Sequence, residues 1–315
     1  MKPFNKILQL FARQRAVEKR RLGKTGLDVS VLGFGTAGIG FGGASFDRVE
    51  LLLNSALDAG LNVIDTGECY MESEEYIGRA IAHRRKDFYI FSKCGHLRGL
   101  EEEPDWDNMQ RLQESLDRSL RRLRTDHLDV FFLHSCPKEV LEKDEVIDFM
   151  EVAKKSGKTK FIGYSGENDA AMYAVKCGSF DVLEMSVNIA DQQSIDVILP
   201  EAVKQQIGIV AKRPIANIAW RYKDCPGEYF VPYWERLKKL NYDFLEDTHG
   251  KAVEVALRFT ISVPGVSTAI VGTQQPKHCE ENKKIVSRGL LDPILYGAIR
   301  KRWKEVCGSD WTGQI

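Results

Sequence analysis

The sequence carries no net charge: Lys and Arg total 45, as do Asp and Glu. That balance argues against nucleic acid or an anionic membrane as the main partner. No run of about 18 apolar residues occurs, so no transmembrane helix is expected. The seven cysteines, Cys69, Cys94, Cys136, Cys177, Cys225, Cys279 and Cys307, are odd in number and scattered. They form no CxxC pair and no cluster with histidine, which speaks against zinc or any other metal site and against a disulfide framework. A reducing compartment suits them, and a cytoplasmic location is expected. The basic opening MKPFNKILQLFARQRAVEKRR lacks an unbroken apolar core and a small-residue cleavage site. Residues 1–19 therefore read as an extension rather than a secretion signal.

What the chain does have is a beat of strand and helix. The 315 residues suit two modest domains or one large α/β barrel. Short apolar runs stand at 29–36, 62–66, 88–93, 128–134, 159–165, 180–186, 207–214 and 266–273. Strands covered on both faces read as such near-continuous runs. Helical stretches alternate with them. One is WDNMQRLQESLDRSLRRLRT, with Met109, Leu112, Leu116, Leu120 and Leu123 along one face. Others are expected at 47–59, 139–155, 276–288 and 291–306. Eight βα units predict a (β/α)8 TIM barrel over residues 20–315 as a single domain. The rival is a doubly wound open sheet, which normally has fewer strands. GFGTAG follows the first run, but a lone Gly-rich match is weak. Residues 215–249, rich in aromatics, break the rhythm after the seventh strand and are expected to wall or cover a pocket.

Polar residues fall where a barrel places its catalytic rim. Asp65 ends the second strand and Tyr70 follows in the loop. Lys93 ends the third strand and His134 the fourth. Taken singly, each has a bland explanation: a loop cap, a packed ring, a surface lysine, a structural histidine. Together, at three consecutive strand ends, they make a coherent device. A free phenol, with a pKa of about 10, is a poor donor near neutrality, and an adjacent ammonium stabilises its phenolate. A carboxylate holds the lysine charged, and a histidine can donate a hydrogen bond to a substrate oxygen. The set suits protonation of a carbonyl that is receiving a hydride.

At this point the sequence resembles the aldo-keto reductase family. The matching pieces run in order from RRLGKTGLDVSVLGFGTAGIG through IDTGECYMESEEYIGRAI, FSKCG, LDVFFLHSC, KTKFIGYSGEN and GIVAKRP to VSTAIVGTQQPKHCEEN. They span residues 20–290. The resemblance implies Tyr70 as general acid, tuned by Lys93 and Asp65, with His134 orienting an aldehyde or ketone and hydride coming from NADPH. It implies cofactor contacts at Gly35, Thr36, Asp65, Ser165, Gly166, Glu184, Lys212, Arg213, Gly272, Thr273, Gln274, His278, Glu281 and Asn282. Gly166 stands where members often have Asn, and Glu184 where they usually have Gln. His278 replaces a frequent Arg; it is only partly charged at pH 7, which leaves NAD(H) open beside NADP(H). Ala37, Trp106, Trp220, Tyr229 and Trp234 are candidate pocket walls. The rival functions are a cofactor-binding regulatory subunit with little turnover, and an aldolase-like enzyme using Lys93 as a Schiff base. Asp65 beside Lys93 argues against the second.

Overall fold

The computed structural model describes residues 17–96, 104–246 and 250–314. Most of the N-terminal extension, and residues 247–249 of the aromatic-rich segment, lie outside the described residues. Eight parallel strands close a barrel: β3 (Leu32–Gly35), β4 (Val63–Asp65), β5 (Tyr89–Cys94), β6 (Leu128–His134), β7 (Thr159–Ser165), β8 (Val182–Ser186), β9 (Gly208–Lys212) and β10 (Val266–Val271), with β10 returning to β3. This is the expected (β/α)8 architecture. Among the described residues, no helix is long and apolar enough to cross a membrane.

Two apolar layers hold the barrel. The larger lies between the strands and the surrounding helices. The smaller fills the barrel itself, with Val63, Phe91, Val130, Phe132, Val182, Val210 and Ile270 pointing inward. An antiparallel hairpin, β1 (Lys19–Arg21) with β2 (Asp28–Ser30), closes the floor and adds Leu22 and Val29 to the interior cluster. The first apolar run, expected as one strand, is thus two. It bends at Val31, because β2 pairs beneath the barrel while β3 joins its wall.

The helical stretch expected at 139–155 is also broken, into Lys138–Leu141 and Glu145–Lys155, with Asp144 in the left-handed region between them. Residues 215–246, the described part of the aromatic-rich segment, are more ordered than a loop. They hold a ten-residue helix, Val231–Leu240, flanked by 3-10 turns.

Candidate active site

Side chains alternate along a strand, so residues two apart share a face. Each inward apolar residue is therefore followed, two positions on, by an inward residue of the layer above. Val63 leads to Asp65, Phe91 to Lys93, Phe132 to His134, Val182 to Glu184 and Val210 to Lys212. The parallel register sets these strand ends side by side: Lys93 opposite Phe132, His134 opposite Ser165, Ser165 opposite Glu184, and Ser186 opposite Lys212. The upper rim of an apolar barrel thus becomes a ring of ionisable groups.

At its centre Lys93, almost fully buried, donates to both Asp65 oxygens at 2.7 Å and to the Thr66 carbonyl at 2.8 Å. Glu184 adds a second carboxylate, its Oε2 3.5 Å from the same ammonium. Buried charge is costly unless paired, and here two carboxylates raise the Lys93 pKa despite its burial, which opposes them. Burial, with Glu184 nearby, pushes Asp65 well up, whereas Lys93 draws Glu184 down against its own burial.

The loop carrying Tyr70 is fixed by hydroxyls. Thr36 donates to the Asp65 carbonyl at 2.8 Å, Ser73 donates to Thr36 at 2.7 Å, and Thr66 lies 2.9 Å from Ser73. Gly40 belongs to a short helix after β3. A Cβ there would stand 2.0 Å from the Tyr70 carbonyl oxygen, so only glycine lets this loop sit down. The Tyr70 ring centroid lies 5.3 Å from Lys93 Nζ and 6.0 Å from the His134 ring, edge-on. Burial pushes the Tyr70 hydroxyl well above its usual value, and Lys93 pulls it back only in part. The phenol stays protonated. Burial, then Lys93, depresses His134, so its imidazole is neutral.

Asp65, Tyr70, His134 and Glu184 line a cavity of about 1270 Å³ at the barrel mouth. Gly35, Thr36, Ala37, Lys212, Arg213, Gly272, Thr273, Gln274, His278, Glu281 and Asn282 line it too. It exceeds the roughly 300–1,000 Å³ of an ordinary small-ligand pocket.

Ser165 and Gly166 do not line it. Ser165 donates to Glu184 Oε1 at 3.0 Å and aims that carboxylate. A Cβ at Gly166 would meet the Tyr164 hydroxyl at 2.4 Å, so the space an asparagine side chain would need is filled by a tyrosine ring. Lys212 pairs with Glu167 at 3.2 Å. Arg213 donates to Tyr229 at 2.9 Å, to Ser186 at 3.1 Å and to the Gln314 carbonyl. Of the aromatic wall candidates only Tyr229 lines the cavity; Trp106 packs on Gly95, and Trp234 donates to the Tyr222 carbonyl.

The sequence reading missed the backbone after β9. Arg213, Ala216, Asn217 and Ile218 all have positive φ, and the buried Asn217 Nδ2 has no partner. Such strain collects at functional sites, but neither Ala nor Ile announces it. The ring position of Glu184 and Lys212 was legible, by counting two residues on from Val182 and Val210.

The sequence profile of the Aldo/keto reductase family matches residues 31–303. The chain belongs to that family. It is 28% identical over 288 residues to L-galactose dehydrogenase of Arabidopsis thaliana, covering 86% of this chain and 88% of that one. It is 26% identical over 328 residues to an NADP(+) aldo-keto reductase of Schizosaccharomyces pombe, covering 93% and 92%. The holo form of an aldo-keto reductase from Bacillus halodurans superposes with a TM-score of 0.81 at 25% identity, over 94% of this chain and 99% of that one.

Proposed function

We propose that the protein reduces an aldehyde or ketone to the alcohol with NADPH, Tyr70 giving the proton. The observation that carries this reading is the buried Asp65–Lys93 pair beneath Tyr70 and His134 at the floor of one cavity. The residues present fit a dinucleotide. The cavity continues to the loop Gly272–Gln274, ahead of the helix Pro276–Val286, whose N-terminus favours anions. A Cβ at Gly272 would stand 2.9 Å from the Gly35 carbonyl oxygen, so the wall between these strands stays bare. Asn217 Nδ2 is buried without a hydrogen-bond partner, Glu184 Oε2 has none beyond its 3.5 Å pairing with Lys93, and both residues line the same cavity. Lys251, Lys284 and Arg288 also line it, cations that would suit a 2′-phosphate of NADP. The Schizosaccharomyces relative, named for NADP(+), supports that choice.

Bound NADPH would supply the hydride. The protein supplies the proton. Tyr70 is held neutral by burial, as a donor must be before the carbonyl oxygen becomes basic. As the phenolate forms, Lys93 at 5.3 Å from the ring stabilises it, and Asp65 keeps Lys93 charged. His134, neutral and at the cavity edge, donates to the same substrate oxygen.

Fluorescence titration with NADPH and NADH, followed by NADPH oxidation against an aldehyde panel, tests this. Tyr70→Phe is expected to lower kcat by roughly 10²- to 10⁴-fold with NADPH affinity nearly unchanged. Wild-type activity retained in that variant would remove Tyr70 as the donor. Cofactor binding without turnover on any carbonyl would favour a regulatory role instead.

A further inference from the structure

A neutral imidazole carries its proton on one nitrogen, and the bond made by the other nitrogen decides which. His134 needs an Nε2–H to donate into the cavity. In the structure its Nδ1 and Cys69 Sγ share a hydrogen bond at 3.5 Å. His134 Nε2 has no partner among the described residues. The ring plane is set by two edge-on neighbours, His96 at 5.1 Å and Tyr70 at 6.0 Å between centroids. Cys69 is itself buried, in the loop after β4, immediately before Tyr70.

We propose that Cys69 is a positioning residue: its S–H donates to His134 Nδ1 and holds the ring as the Nε2–H tautomer, aimed at the substrate oxygen. The direction follows from the chemistry of the pair. A thiol sulfur accepts weakly, whereas an imidazole lone pair accepts well. Burial pushes the Cys69 thiol up to about 12, so it keeps its proton and remains a donor. The opposite tautomer would oblige sulfur to accept. It would also turn the Nε2 lone pair toward an oxygen gaining negative charge. Two adjacent residues thus serve one substrate atom, Tyr70 directly and Cys69 through His134.

The inference rests on the proposed reduction for its kinetic consequence, but not for its tautomer. Nitrogen-15 NMR of the histidine rings at neutral pH reads the tautomer in cofactor-free protein, with His134→Asn assigning the signals. Wild type and Cys69→Ser should show unprotonated Nδ1 and protonated Nε2. Cys69→Ala should show a mixture, with kcat on an aldehyde lowered roughly 3- to 10-fold, the size of one lost hydrogen bond. KM should be nearly unchanged, and Cys69→Ser should restore kcat. A protonated Nδ1 in the wild type overturns the inference, as does an Ala variant with unaltered tautomer and kcat. Should Cys69→Ala fail to fold, the wild-type and Cys69→Ser spectra still decide it. A wild type inactive on every carbonyl would remove the reductase reading and leave the tautomer to NMR alone.

Discussion

Glu184 shows how one residue alters the electrostatics of a site. It stands against the ammonium that Asp65 already neutralises, and its negative charge helps hold the Tyr70 proton in place. Glu184→Gln removes that charge. The Tyr70 pKa should then fall, and the alkaline limb of alcohol oxidation, which needs the phenolate, should move to lower pH. An unchanged pH profile would show that Glu184 does not act on Tyr70. At this scale the candidate set was legible, because strand ends carried unusual polar types. The Gly166 departure was visible but not its reason, since it depends on where the Tyr164 ring, two residues earlier, is turned.

Among elements, glycine marks where backbones meet. The helix Ser73–Ile81 presses on Met109–Leu123, and a Cβ on Gly78 would lie 2.0 Å from the Arg122 carbonyl oxygen. Gly78→Ala should therefore destabilise by about 1–3 kcal/mol despite alanine's better helix propensity. Thermal melting checks the sign, and a gain in Tm would refute the contact. Ion pairs join the same helices, with Arg122 3.5 Å from Glu74 and 3.7 Å from Glu75, while Arg118 donates at 2.7 Å to Glu68 in the loop ahead of the first helix. Strand positions were legible because apolar runs report burial directly; Leu128–His134 and Thr159–Ser165 fall where the sequence places them. The bend at Val31 was not. Both halves of that run are buried, and pattern reports burial without naming the pairing partner.

For the whole molecule, chain segments far apart in sequence meet at Asp191. This buried carboxylate accepts from Tyr233 of the helix Val231–Leu240 and from the Gln314 amide, each at 3.1 Å. Burial and the neighbouring Glu167 raise its pKa to about 7, and Arg236 at 3.9 Å offsets them only in part. A folded pKa above the unfolded value means that the native state binds the extra proton. The stabilisation is complete below about pH 4, the unfolded carboxylate's value, and is lost as pH rises through 7. Asp191→Asn should flatten that decline, leaving the variant less sensitive to pH between about 4 and 7 in denaturant titrations. Equal slopes in both proteins would count against the assignment.

By itself the sequence determined the eight-stranded barrel and the candidate residues Asp65, Tyr70, Lys93 and His134, because periodicity and strand-end polarity are local properties. Only the tertiary structure decided that Glu184 faces Lys93 and that Tyr164 occupies the space beside Gly166. It alone turned Arg213 toward Gln314 and set Cys69 against His134 Nδ1. The Tyr164–Gly166 approach is local to the end of β7; the other contacts join residues far apart in sequence, which the closed barrel brings within reach of one another.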